Sequence, residues 1–359
     1  MKEEIKTHYI FLDTSIFIKE NFFAGNKLKA FLKHEKESKI ELLTTKITEK
    51  ECFSNLDSFL TSSNFVLKKA LKELSNKAKS FKNIETLNNL FNLNNTFDIE
   101  KEKEILTEKF TNLLADHFSE IKIDNDKTSK IIDDYFNFQP PFKDGKKKHE
   151  FPDALVLNSL ESWCKEKKQK IYVVADDEDM NSYESKYLIP IKEYDKLLDQ
   201  ISFTFSDENI TQKIEGIIEE NEIEILSRIE DEFTNDFPYS GFDESQGFEY
   251  ETNDIESFKA NIDWHSVLQV SENIATVELT IPVEYTAEIS YEDKSLGWYD
   301  KEDDIWYGTE MQTMSITDKC KLIAIIEIEF ELPGKEVYWK SWNFVEISSG
   351  IPRDISIDY

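Results

Sequence analysis

Four carboxylates in this chain stand where a fold could gather them. Asp13 ends the apolar run Tyr9-Ile10-Phe11-Leu12, and Glu51 follows the run Ile40-Glu41-Leu42-Leu43 after one short turn. Asp153 opens the helix-like stretch Asp153-Ala154-Leu155-Val156-Leu157, and Asp177 follows the strand-like Ile171-Tyr172-Val173-Val174. Carboxylates at the carboxyl ends of parallel strands meet in one crevice. Gathered there, they repel one another until a divalent cation neutralises them, and an all-oxygen ligand set suits Mg²⁺ or Mn²⁺. Such ions are suited to cutting phosphodiesters. His8, His34, His117, His149 and His265 fall into no H-E-x-x-H or other ligand spacing and read as structural.

The elements that must position these acids are legible as periodicities. Residues 8–13 read as a buried first strand, 40–44 as a second, 171–175 as a third and Leu188-Ile189-Pro190-Ile191 as a short last one. A helix starts near Thr48, and residues 153–167 and 192–201 return to helix. Between about 64 and 138 the pattern is helical, in three apolar stripes. They are Leu67, Ala70, Leu71, Leu74, Ala78 and Phe81; Leu106, Phe110, Leu113, Leu114, His117 and Phe118; and Ile131, Ile132, Tyr135 and Phe136. Pro140-Pro141 breaks the pattern ahead of a Lys-rich loop at 143–149. This alternation predicts an α/β three-layer domain with a central parallel sheet over residues 1–204, carrying a helical insert at 64–138.

The rest of the chain changes character. Residues 205–247 read as an acidic helical connector, with Ile214, Ile217, Ile218, Ile225 and Ile229 available for packing. From 248 to 359 the period becomes two. Val277 to Tyr291 and Leu322 to Leu332 alternate, predicting a mostly antiparallel β domain with one wet face. Pro282 within the first run predicts a bulge or an edge strand. Trp298, Tyr299, Trp306 and Tyr307 lie in an acidic, loop-like stretch. They read as hairpin packing or, if exposed beside Asp300, Asp303 and Asp304, as a protein-contact surface.

Composition separates the halves further. Of 359 residues with a net charge of −30, residues 1–204 hold 33 basic and 36 acidic side chains, and residues 205–359 hold 10 and 37. Once a cation fills its site, the first half tolerates a polyanion. The second repels nucleic acid and reads as a solvated acidic domain, or else as a surface that meets a basic partner or shields the first half. Cys52, Cys164 and Cys320 are scattered, which argues for a reducing compartment and against a disulfide scaffold. The charged amino terminus has no apolar signal-peptide core, and no run approaches a membrane span, so a cytoplasmic protein is expected. There is no G-x-S-x-G, Walker loop or dinucleotide fingerprint.

The set Phe11-Leu12-Asp13-Thr14-Ser15, Ile47-Thr48-Glu49-Lys50-Glu51, Phe151-Pro152-Asp153-Ala154 and Val174-Ala175-Asp176-Asp177-Glu178-Asp179-Met180 resembles a PIN-domain nuclease. The closest style is the bacterial PIN-like domain with a helical insert, and the resemblance covers residues 7–204. It implies helices around a parallel sheet, Mg²⁺ or Mn²⁺ held by acids, and single-stranded RNA ahead of DNA as substrate. Residue by residue, it implies that Asp13, Glu51, Asp153 and Asp177 are catalytic metal ligands and that Asp179 is a further ligand. Thr14 and Ser15 are then supporting hydroxyls. Glu49 is the alternative to Glu51. Two residues apart on a helix they face different ways, and the register set by Ile47-Thr48 favours Glu51. The chain departs from the pattern at Ala175, where a Ser or Thr is usual, and at Met180, where an aromatic is usual. Neither removes an acid, so activity is expected.

Lys146, Lys147 and Lys148, just ahead of Asp153, read either as phosphate contacts or as a plain solvated loop, and Lys68, Lys69, Lys72, Lys77, Lys79 and Lys82 are a weaker extension of the same track. The leading expectation is a metal-dependent endoribonuclease with an appended β domain, a toxin or phage-defence effector by family analogy. The alternatives are the same fold acting on DNA, and a non-catalytic PIN-like scaffold whose acidic half binds a basic protein.

Overall fold

Buried apolar runs too short to span more than one sheet layer set the architecture. In the computed structural model, β1 (Tyr9–Leu12), β2 (Glu41–Thr45), β3 (Phe118–Ile121), β4 (Ile171–Val174) and β5 (Leu188–Ile191) form a parallel sheet in the order β3-β2-β1-β4-β5. Phe11 lies in register with Leu43 on one side and Val173 on the other. β1 and β4 are covered on both faces, which is why they read as continuous apolar runs and not as alternation. The chain steps outward from β1 to β3, then returns to β4 on the opposite side of β1. The connections leaving β1 and β4 therefore diverge and open a crevice at the carboxyl edge of the sheet. At the β5 edge, Pro190 pairs in register with Val173 and blunts that edge.

The described residues are 3–87, 91, 97–142, 150–206, 208–237, 240–243, 248–271, 273–295, 297–301, 305–331 and 338–349. The chain divides into two compact units between Leu197 and Leu198, ahead of the expected boundary at 204 and within the helix Tyr194–Phe205.

In the first unit, α1 (Thr14–Lys19) and α2 (Asn26–Lys36) follow β1, and α3 (Lys46–Lys77) follows β2. The start of α3 is fixed by Thr45, whose Oγ1 accepts from the Thr48 N–H at 3.2 Å. Glu20, buried at the end of α1, accepts from Lys27 N–H at 3.1 Å, Leu28 N–H at 3.2 Å and the Tyr194 hydroxyl at 2.6 Å. It thereby satisfies the opening turn of α2, which has no side-chain cap of its own.

The predicted helical insert needs correction. α4 (Ile99–His117) ends at β3, which pairs with β2, and α5 (Thr128–Phe136) follows. β3 carries the exposed pair Ser119-Glu120 and buries only Ile121, too little pattern to announce a strand. Of the first predicted stripe only Leu71 is buried; Phe81 is exposed. Phe110, Leu114 and Ile131 are buried as expected, whereas Ile132 and Phe136 are exposed. α6 (Phe151–Lys167) then leads into β4, and α7 (Glu178–Asn181) into β5.

The second unit begins within α8 (Tyr194–Phe205) and continues as α9 (Glu208–Glu220) and α10 (Glu222–Asp236). Its sheet is antiparallel: β6 (Ser240–Asp243), β7 (Phe248–Ala260), β9 (Ile274–Asp293), β12 (Glu310–Glu331) and β13 (Tyr338–Ser349) lie in the order β13-β12-β9-β7-β6, and β8 (Trp264–Val270) also pairs with β9. The stretch 205–247, expected as a connector, instead supplies part of this core. Ile214, Ile217, Ile218, Ile225, Ile229 and Phe233 pack with the inward row of β9 and with Leu322 to Phe330 of β12. Pro282 marks neither a bulge against β12 nor an edge. It pairs in unbroken register with Lys321 in the centre of the sheet. Its missing N–H falls where β7 ends at Ala260, opposite Val283, and β8 begins at Trp264, opposite Thr280. The four aromatics form a hairpin, β10 (Trp298–Asp300) against β11 (Ile305–Tyr307), with Trp298 stacked on Tyr307 and Tyr299 beside Trp306. Among the described residues no helix is long and apolar enough to cross a membrane.

Candidate metal centre

Asp13 sits at the mouth of the crevice. Its N–H donates to the Val174 carbonyl at 2.9 Å, tying the ends of β1 and β4, and its side chain caps α1. The Asp13 Oδ2 accepts from the Ser15 N–H at 2.9 Å and from the Ser15 hydroxyl at 2.6 Å. That hydroxyl oxygen in turn accepts the Asp176 N–H at 3.1 Å, so one serine joins the first acid to the loop after β4. Asn181 folds the same loop back, its amide donating to the carbonyls of Ala175 at 3.0 Å and Asp177 at 2.8 Å.

Glu51 lies on α3, where its Oε2 accepts from the Thr14 hydroxyl at 2.9 Å, beside Asp13. Glu49 is turned away and pairs with Lys46 at 2.6 Å. Asp153 is in the first turn of α6, where Pro152 removes a donor that the helix start would leave unused. Glu150, three residues earlier and buried, hydrogen-bonds to the Asp153 side chain.

The electrostatics tie these groups together. Burial pushes the Asp13 carboxyl up; the Ser15 and Thr14 bonds oppose this, and the charge of Asp177 adds to it. Glu51 is raised by burial first, partly relieved by Thr14 and raised again by Asp13. Asp153 is pushed up to about 8, by burial first, then by the bond from Glu150 and the charges of Asp13, Glu150 and Glu51. A carboxyl bonded to another carboxyl must share a proton with it. The fold thus brings Asp13, Glu51, Asp153 and Asp177 onto one crevice, with Asp177 at its exposed side.

Glu150 is the member that sequence reasoning missed. Its signal was the spacing Glu150-x-x-Asp153, which places two acids on one helix face. Cys52, next to Glu51, is a buried thiol raised to about 12, mainly by desolvation, and is inert as a nucleophile. The side chain of Asp179 and the whole of Lys146, Lys147 and Lys148 lie outside the described residues.

The donor set is oxygen throughout, which fits a hard divalent cation. Raised carboxyls are the condition that such a charge reverses. Yet among the described residues no three His, Cys, Asp or Glu side chains converge into a ready ligand set. Asp13 Oδ2 is taken by Ser15 and Glu51 Oε2 by Thr14, so the acids are gathered but not closed on one point.

Neither a curated protein nor a solved structure matches the chain. A family model described as the PIN domain matches residues 10–180, from the middle of β1 through α7. PIN domains are generally nucleases and typically use divalent metals such as Mg²⁺. With its parallel sheet flanked by helices and its acids at the carboxyl edge, the matched segment of this chain is a PIN domain.

Proposed function

We propose that the first unit is a Mg²⁺- or Mn²⁺-dependent endonuclease that hydrolyses single-stranded RNA. The observation that supports this most is the mutual charge of Asp13, Glu51, Asp153 and Asp177 at the reversal of strand order. In this reading those four hold the cation, with Asp179 as a further ligand. The bound cation would supply charge neutralisation at the phosphodiester oxygens. The chain's own residues do the positioning. Ser15 fixes the Asp13 carboxylate, Thr14 fixes Glu51, and Glu150 keeps a proton on the Asp153 side until the cation replaces it. Lys146, Lys147 and Lys148 would hold substrate phosphates. A toxin or phage-defence role is consistent with a nuclease unit joined to a separately folded acidic unit that recruits a basic protein partner, in a reducing cytoplasm.

The test is incubation of the purified chain with total RNA and Mn²⁺, with and without chelator, beside an Asp13→Asn variant. Matched single-stranded DNA in parallel separates the two substrates. Cleavage of RNA that chelator and Asp13→Asn both abolish is the expected result. No cleavage of either nucleic acid leaves the scaffold reading in its place.

A further inference from the structure

The end of α5 is built against the preference of its own residues. Asn137 caps the helix, the Gln139 N–H returns to the Asp134 carbonyl at 2.9 Å, and the Phe138 N–H reaches the Tyr135 carbonyl at 3.4 Å. This Schellman closure requires left-handed backbone at the residue after the cap, a place ordinarily filled by glycine. Here it holds Phe138, at φ 51°. Burial does not repay the strain, because Phe138 is 56 % exposed. Phe22 is the instructive contrast. It too has left-handed backbone, at φ 62°, but it is 4 % exposed and packs against Phe59 and Phe110. Strain of this kind, kept without a packing return, points to function.

Phe136, two residues earlier at the last position of the helix, is 71 % exposed. Its ring leans on Tyr135 at 5.2 Å, and Tyr135 meets Phe151 at 4.9 Å and Phe142 at 5.4 Å. Phe151 opens α6, in the same turn as Asp153 and next to Glu150. Phe136 is thus footed, through Tyr135, on the turn that carries an acid of the candidate metal centre, and Phe138 follows it two residues on. That continuity favours the strand being cut over a partner protein. Phenyl faces stack on any unpaired base and need no particular sequence, whereas a duplex keeps its bases stacked inside.

We infer that Phe136 and Phe138 form a stacking step for unpaired nucleobases of the substrate strand, an inference that rests on the nuclease reading above. The experiment measures binding of a labelled single-stranded RNA by fluorescence anisotropy, with an abasic strand of the same length as control. The Asp13→Asn background keeps the strand uncut. Phe136→Ala and Phe138→Gly are each expected to weaken binding of the base-bearing strand by about 5- to 100-fold and to leave the abasic strand unchanged. Phe138→Gly is also expected to keep or raise the thermal midpoint, since glycine suits that backbone. Undiminished binding of the base-bearing strand overturns the inference, as does equal loss for the abasic strand, and either leaves this face for an apolar protein contact. A wild-type protein that cuts RNA while these variants bind normally sinks the stacking step alone. A wild-type protein that cuts neither RNA nor DNA sinks the nuclease reading itself.

Discussion

The Ser15 hydroxyl donates to the Asp13 carboxylate at 2.6 Å while its oxygen accepts the Asp176 N–H at 3.1 Å. A single side chain therefore couples the acid after β1 to the loop after β4, the two elements between which the sheet reverses its order. Ser15→Ala breaks both bonds. The expected cost in stability is about 1–2 kcal/mol, from two hydrogen bonds of ordinary net worth. Cleavage should fall by more than that loss explains, because Asp13 and the Asp177 loop are no longer held together. Ser15→Thr, which keeps the hydroxyl, should recover most of the rate. Urea denaturation and single-turnover cleavage of the same preparations check both statements.

Asp153 gives a pH dependence with a definite sign. Its folded value of about 8 lies above the ordinary carboxylate value. Without metal, the folded state therefore holds a proton that the unfolded chain has released. Stability from this group is full below about pH 4, the unfolded value, and is lost as pH rises from there to the folded value. A divalent cation reverses the trend, since it must displace the proton and binds more tightly as pH rises towards 8. Calorimetric titration with Mg²⁺ at pH 7 in two buffers of different ionisation enthalpy should show proton release. Asp153→Asn should remove that release and flatten the metal-free stability profile over the same range.

Much of this site was legible because its parts are local. Asp13 directly follows one short buried strand and Asp177 comes three residues after another, and Asp153 sits in the first turn of a largely buried helix. What escaped depended on tertiary context. β3 is a four-residue edge strand with two exposed residues, and it exists because β2 offers a parallel edge, not because its own sequence alternates. The isoleucines of α9 and α10 were visible, but their place in the core of the second unit was hidden by the acids around them. Pro282 misled for a related reason: a missing donor is harmless in mid-sheet where one neighbouring strand hands over to the next.

Gly25 makes a separate claim about the frame of the first unit. A β-carbon there would meet the Glu20 Oε2 at 2.0 Å and the Glu20 Cα at 2.8 Å. The buried Glu20 carboxylate cannot swing aside without abandoning the Tyr194 hydroxyl and the two N–H groups that open α2. Gly25→Ala should therefore destabilise the chain by about 1–3 kcal/mol, in the range of overpacking in a tight interior. Equilibrium denaturation monitored by circular dichroism would register it. A neutral result would mean that Glu20 is not a fixed cap of α2.

Glu150 is predicted to set the pH at which the site becomes competent. Its bond to Asp153 and its negative charge both hold the Asp153 proton in place. Glu150→Gln keeps the shape and removes the charge, so the Asp153 proton should leave more readily. The acid limb of the cleavage rate against pH should then move down by ~1 unit, the usual scale for one nearby charge. Maximal rate on the plateau should change little if Glu150 acts only through Asp153. A large plateau loss with no shift of the limb would assign Glu150 to direct cation binding, and Asp153→Asn in the same background separates the two, because a residue acting only through Asp153 has no further effect once Asp153 carries no titrating proton.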